Sequence, residues 1–115
     1  MTLKLPEVIK KLGLKVRSAQ GVLDRTISGG YVSDLLSDVM GHSQKDNIWV
    51  TLQVHPNIVA VAVLKELAGI IVVNGREPAP ETIAQAEKQQ VPILVSELSA
   101  FELVGRLYGL GIQGT

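Results

Sequence analysis

From residue 48 onward the chain alternates between short runs of branched apolar residues and longer stretches with helical apolar spacing. Residues 48–54 (IWVTLQV) are β-branched and aromatic and predict a strand. His55-Pro56-Asn57 interrupts it, because Pro56 cannot donate to a central ladder yet suits the first turn of a helix. Residues 58–67 carry a Val-Ala alternation that would fit a strand. The apolar run continues into Lys65-Glu66-Leu67, however, and the next strand, residues 69–73, follows almost at once, so a helix is the better reading. After Asn74-Gly75 and a proline-rich loop, Pro80-Glu81 opens another helix that ends near Gln90. Residues 91–95 (VPILV) predict a further strand, with Pro92 marking its start or an edge position. Ser99 and Glu102 then have capping-box spacing and Glu102–Arg106 an i,i+4 ion-pair spacing. Phe101, Val104, Leu107 and Tyr108 form the expected apolar stripe of this last helix.

The first third is less regular. Leu5, Val8, Ile9 and Leu12 have helical spacing, Pro6 suits a first helical position, and Gly13 suits the C-terminal cap. Residues 14–19 read as a strand. Residues 23–40, LDRTISGGYVSDLLSDVM, predict a loop from Asp24 to Gly30 and a helix over 33–40 that Gly41 stops. Helices that cross over between strands imply parallel pairing with helices packed on the sheet faces. The expectation is therefore one α/β domain over residues 1–115: three α/β/α layers around a largely parallel sheet, without repeats or linkers.

Composition narrows what that domain does. Of 115 residues, 46% are hydrophobic, enough for a core, and the only aromatics are Tyr31, Trp49, Phe101 and Tyr108, so the core is chiefly aliphatic. The absence of cysteine excludes disulfides, iron–sulfur clusters and cysteine catalysis. Eleven basic residues balance eleven acidic ones with no basic block, which argues against nucleic acid and anionic membranes as partners. The longest apolar run, residues 58–64, is too short to span a bilayer, and the first residues lack the apolar segment of a signal peptide. A soluble cytoplasmic protein is expected.

Ligands of parallel sheets tend to bind beyond the carboxyl ends of the strands. That rule selects His55 and Asn57 after the first clear strand, Asn74 and Gly75 after the second, and Ser96 and Glu97 after the third. Each also has a plain structural reading, Asn74-Gly75 as a turn and Ser96 as a cap. Ser33, Asp34, Ser37 and Asp38 would share one face of the helix over 33–40. Asp34 and Asp38 there either offer oxygen ligands to a divalent cation or form the solvated side of the helix. Asp24, Arg25, Thr26, Gly29 and Gly30 form the remaining group. They read either as a turn in which glycine supplies positive φ and Arg25 is tied to a carboxylate, or as a loop whose Arg25 and glycine amides face an anion. The chain has no phosphate-binding loop, no dinucleotide fingerprint, no zinc spacing and no nucleophile elbow. No catalytic residue, metal or cofactor is expected.

These residues resemble the DRTGG domain family, whose motif stands here as DRT-IS-GG. GGYVSDLLSDVMG, WVTLQVHPNIVAVAVLKELAGIIV and SELSAFELVGRLYGLG are also similar to the family pattern, so the resemblance covers nearly the whole chain. It implies a fold similar to the N-terminal domain of HPr kinase/phosphorylase. It also implies kinship with modules found inside phosphotransacetylases and CBS-containing pyrophosphatases, where the domain is regarded as regulatory or dimerising. No catalytic residue carries over, and a serine-kinase role is disfavoured without a phosphate-binding loop. The expectation is a non-catalytic, homodimeric regulatory domain with a small anionic ligand such as a nucleotide. The alternative is a purely structural module that docks a partner enzyme.

Overall fold

Strand β5 (Asn47–Thr51) is buried along its whole length and faces a different core on each side. Ile48 and Val50 point into one apolar cluster and Trp49 into another. The period of two along a strand thus becomes two cores separated by a sheet. The computed structural model describes residues 3–114.

Before β5 come β1 (Leu3–Lys4), α1 (Leu5–Leu12), β2 (Lys15–Val16), a single 3-10 turn at Gln20–Val22, β3 (Thr26–Ile27), β4 (Gly29–Val32) and α2 (Leu36–His42). After it come α3 (Asn57–Lys65), β6 (Gly69–Val72), α4 (Pro80–Gln89), β7 (Ile93–Val95) and α5 (Ala100–Gly109). The main sheet has the order β2-β7-β6-β5-β4, and β1 pairs with β3 in a separate antiparallel ribbon. From β4 to β7 the strands are parallel, while β2 runs antiparallel at one edge. Helices α2, α3 and α4 pack with Trp49, Ile70 and Ile93 on one face; α1 and α5 pack with Ile48, Ile71 and Leu94 on the other. This is the three-layer α/β/α domain with a largely parallel sheet that the pattern predicts.

Two helix ends follow their sequence signals. Gly13 caps α1 at φ 62, with its N–H donated to the Ile9 carbonyl, and the Ser99 hydroxyl accepts from the Glu102 amide at 3.3 Å at the start of α5.

Four expectations are corrected. Residues 24–30 are not a loop: they hold β3 and β4, and neither Gly29 nor Gly30 has positive φ. The helix expected over 33–40 starts only at Leu36 and runs through Gly41 to His42. Ser33 to Leu35 stay outside the helix: the chain bends at Asp34, Trp49 Nε1 donates to the Ser33 carbonyl, and the Asp34 carboxylate takes bonds from Thr51 and Leu52. Ser33 and Asp34 therefore do not share a helix face with Ser37 and Asp38. The strand expected over 14–19 shrinks to two residues, and Ala19 turns the chain at φ 57. Finally, α5 buries Leu103 and Leu107 and leaves Phe101 and Tyr108 outward, 89% and 61% exposed.

Candidate functional site

The candidate residues fall at opposite ends of the sheet. Asp24, Arg25 and Thr26 lie at the amino edge, where each holds the chain to itself. Exposed Asp24 pairs with Lys4 Nζ at 3.2 Å. Thr26 sits opposite Lys4 in the β1–β3 ribbon, and the Leu5 amide donates to the Arg25 carbonyl at 2.8 Å. The Arg25 guanidinium donates to three main-chain carbonyls: Gln90 at 2.6 Å, Val22 at 3.1 Å and Leu67 at 3.4 Å. Gln90 caps α4, and Leu67 follows Glu66, the cap of α3. A cation at two helix ends also meets the negative pole of each helix. The carboxylate expected beside Arg25 is replaced by these carbonyls, because the helix ends bring unpaired C=O groups to it.

Gly29 is required by proximity, and Gly30 lies in ordinary contact with the same segment. A Cβ at Gly29 would lie 2.9 Å from the Gln113 carbonyl oxygen, and one at Gly30 would lie 3.4 Å from Ile112 Cγ2. The Gly30 amide donates to the Gln113 carbonyl at 2.8 Å, and Gly114 bridges Gly30 in parallel. The segment after α5 thus lies along the open edge of β4, a place that a side chain at 29 would obstruct.

Asp34, His55, Asn57, Asn74, Ser96 and Glu97 lie at the carboxyl edge, where the loops after β4, β5, β6 and β7 follow one another. Each loop is bonded to the next. Asp34 Oδ1 accepts from Thr51 Oγ1 at 2.8 Å and the Leu52 amide at 2.7 Å. The Val54 carbonyl accepts from the Ala79 amide at 3.0 Å and Thr82 Oγ1 at 2.7 Å. The Asn74 amide donates to the Leu98 carbonyl and the Gly75 amide to the Ser96 carbonyl, both at 2.8 Å. His55, Asn57, Asn74 and Glu97 are exposed along this row, whereas Ser96 is buried and its hydroxyl accepts from the Leu98 amide. The cations at this end are exposed Arg76, Lys15 at 4.0 Å from Glu97, and Arg17, which forms a two-pronged pair with Glu77 at 2.7 and 2.8 Å. The Arg17 bonds hold the Glu77 carboxyl below its ordinary range.

Asp38 has a different environment. The Tyr31 hydroxyl donates to it at 2.8 Å, and that bond, followed by one from Ser33, lowers its carboxyl below the usual range. The same bond raises the Tyr31 hydroxyl. His42 Nδ1 lies 3.2 Å from Asp38 Oδ1 one turn away. Asp34 and Asp38 are thus committed to different partners, and among the described residues no group of three or more acidic, His or Cys side chains is placed to hold a metal ion.

A groove that the sequence reading did not select runs between the β4 edge and α5. An open cavity of about 550 Å³ is lined by Val32, Ala100, Phe101, Val104, Gly105 and Tyr108. It adjoins a second of about 290 Å³ that reaches Gly30, Leu107 and Ile112 and shares Val32, Val104 and Tyr108 with the first.

A family model for the DRTGG domain matches residues 7–110. The chain belongs to the DRTGG domain family. This DRTGG domain is similar in fold to a crystal structure of the CBS and DRTGG domains from the regulatory region of a Clostridium perfringens pyrophosphatase, complexed with the activator diadenosine tetraphosphate. The TM-score is 0.70 at 15% identity, and the match covers 89% of this chain and 44% of that one. No curated protein matches the chain. Within the DRTGG domain, the motif residues build the amino edge and the wall of the groove. The signal that could have found the groove was in α5: two aromatics and two glycines share a helix flank that a core stripe would fill with aliphatic residues.

Proposed function

We propose that this DRTGG domain is a non-catalytic regulatory module that works as a homodimer and responds to a small anionic ligand, with a nucleotide as the first choice. The observation that carries the reading is the course of β4. Its Gly30 and Val32 wall the apolar groove, and two residues after Val32 the Asp34 carboxylate enters the bonded loops of the carboxyl edge. A ligand that rearranges those loops therefore acts on the groove wall through one short strand. Ligand contacts are assigned to the exposed His55, Asn57 and Asn74, with Glu97 in the adjoining loop and Arg76 as the exposed cation. The pyrophosphatase region of similar fold was complexed with a nucleotide activator, which makes adenine nucleotides and dinucleoside polyphosphates the first compounds to test.

The experiment is a thermal-shift panel of nucleotides and phosphorylated metabolites, followed by calorimetry on any hit. Binding at 100 times Kd stabilises the fold by about 2.7 kcal/mol, several degrees in this size class. An Arg76→Ala, His55→Ala double variant should lose the shift while keeping the unliganded melting temperature. A panel in which no compound raises the melting temperature removes the ligand from the proposal.

A second reading, docking to a partner enzyme, is favoured by α3. Its Val63 and Leu64 are 42% and 69% exposed beside an open cavity of about 400 Å³ against Gln85 and Gln89 of α4. A helix apolar on nearly every side is usually covered. Leu64→Asp should abolish co-purification with such an enzyme and leave nucleotide binding intact.

A further inference from the structure

Helix α5 carries two glycines that nothing within the chain requires. A Cβ added at Gly105 or Gly109 would meet no atom within 4 Å, and neither glycine has positive φ. Both are exposed, and glycine inside a helix weakens it relative to alanine. They share the outer flank of α5 with Phe101 and Tyr108, the two aromatics turned away from the core. Phe101, Gly105 and Tyr108 follow at i, i+4 and i+7, one row along the helix surface. Fully buried aromatic side chains each cover about 150–250 Å², so this pair and its neighbours Val32 and Val104 form a patch of a few hundred Å². The largest apolar patch on a soluble domain, at about this size, is often functional.

The shape of the flank selects its occupant. A knob (Phe101) and a notch (Gly105, Gly109) on one helix are complementary to themselves when two copies cross antiparallel. With Gly105 near the crossing point, Phe101 of each helix lies over Gly109 of the other, and the helices approach closely because no side chain stands between them. The rim is self-complementary too: Glu102 and Arg106, 3.7 Å apart on the far side of the row, meet the opposite charge of a second copy in the same arrangement. We infer that the α5 flank centred on Gly105 is a two-fold, antiparallel contact with a second copy of this chain. The inference rests on the dimeric reading above and names its surface.

The test is the mass of the full chain by light scattering and sedimentation at micromolar concentrations, with circular dichroism to verify folding. The wild type should give near twice 12.3 kDa. Phe101→Asp and Gly105→Leu, both at exposed positions, should give folded monomers. Gly105→Ala separates the two roles of the glycine: its melting temperature at dilutions where the chain is monomeric should rise, while association weakens at least tenfold. Glu102→Arg should weaken association, and combining it with Arg106→Glu should restore it. Leu64→Asp on the opposite layer should leave the mass unchanged. A wild type that is monomeric throughout overturns both the dimer and this contact. A dimer that survives Phe101→Asp and Gly105→Leu overturns the α5 contact alone, as does a dimer lost in Leu64→Asp.

Discussion

Replacing Arg25 by methionine keeps most of the side-chain stem and removes the guanidinium. Two of its bonds, to Gln90 at 2.6 Å and Val22 at 3.1 Å, have good length; the third, to Leu67 at 3.4 Å, is long enough to be counted as nothing. Hydrogen bonds from a charged donor contribute about 1.5–3 kcal/mol each, and partial exposure places these two at the low end. The ends of α3 and α4 lose a favourable cation as well, about 0.3–1 kcal/mol apiece. The expected loss is about 4–5 kcal/mol, a large share of a stability that is typically about 5–15 kcal/mol. In urea titrations with an m-value of about 1–3 kcal/mol/M the midpoint should fall by about 1–5 M. Arg25→Lys should recover less than half, because one ammonium cannot span carbonyls from three segments. If Arg25→Met unfolds at the wild-type urea concentration and instead loses nucleotide binding, the assignment of Arg25 to the helix ends is wrong and it belongs to a ligand site.

Other outcomes can be checked with the same material. Gly29→Ala places a methyl 2.9 Å from the Gln113 carbonyl; it should cost about 1–3 kcal/mol and speed hydrogen exchange at the Gly30 amide, whose bond to Gln113 is displaced. Asp34→Ala removes the acceptor of the Thr51 hydroxyl proton, on a residue 1% exposed, and the acceptor of the Leu52 amide; it should destabilise by about 1–3 kcal/mol in denaturant titrations. The Asp38 carboxyl is lowered in the fold, so its contribution is present above the ordinary carboxylate range and is lost as pH falls through the lowered value. Melting temperatures recorded from neutral pH downward should therefore drop less steeply in Asp38→Asn than in the wild type. Tyr31 is raised, so its share is complete below the ordinary tyrosine range and disappears as pH rises through the raised value; Tyr31→Phe should flatten that alkaline limb.

The strands and helices from β5 onward were legible because their signals are local. Period-two apolar runs, Pro80 in a first turn and Ser99 at a cap act within a few residues. The stretch around Asp24–Gly30 misled for the opposite reason. Its glycines answer to Gln113 and its arginine to Leu67 and Gln90, partners remote in sequence that no local pattern announces. Asp34 is similar: beside Leu35 and Leu36 it looks helical, and only its bonds to Thr51 and Leu52, far along the chain, explain why the helix starts later. In α5 the spacing of apolar residues fitted two faces, and the choice between them depended on where the sheet lay. The carboxyl-edge residues were selected by a rule about parallel sheets, which required the strand order alone and no knowledge of the loops.

The order of strands in the sheet also bears on how the chain reaches it. From β4 to β7 every strand lies beside the next one in sequence, linked by α2, α3 and α4 on a single face. The opposite layer is built from the two ends of the chain: α1 and α5 share one apolar cluster, and at the sheet edge below them Val16 of β2 pairs with Leu94. Short loop closures cost less entropy than long ones, so the sequential side assembles first and the layer of α1 and α5 closes last. Ile70→Val should accordingly slow refolding, while Leu103→Ala should chiefly accelerate unfolding. The α5 flank then reaches its final place only when the rest of the domain is complete, so self-association cannot precede a finished fold.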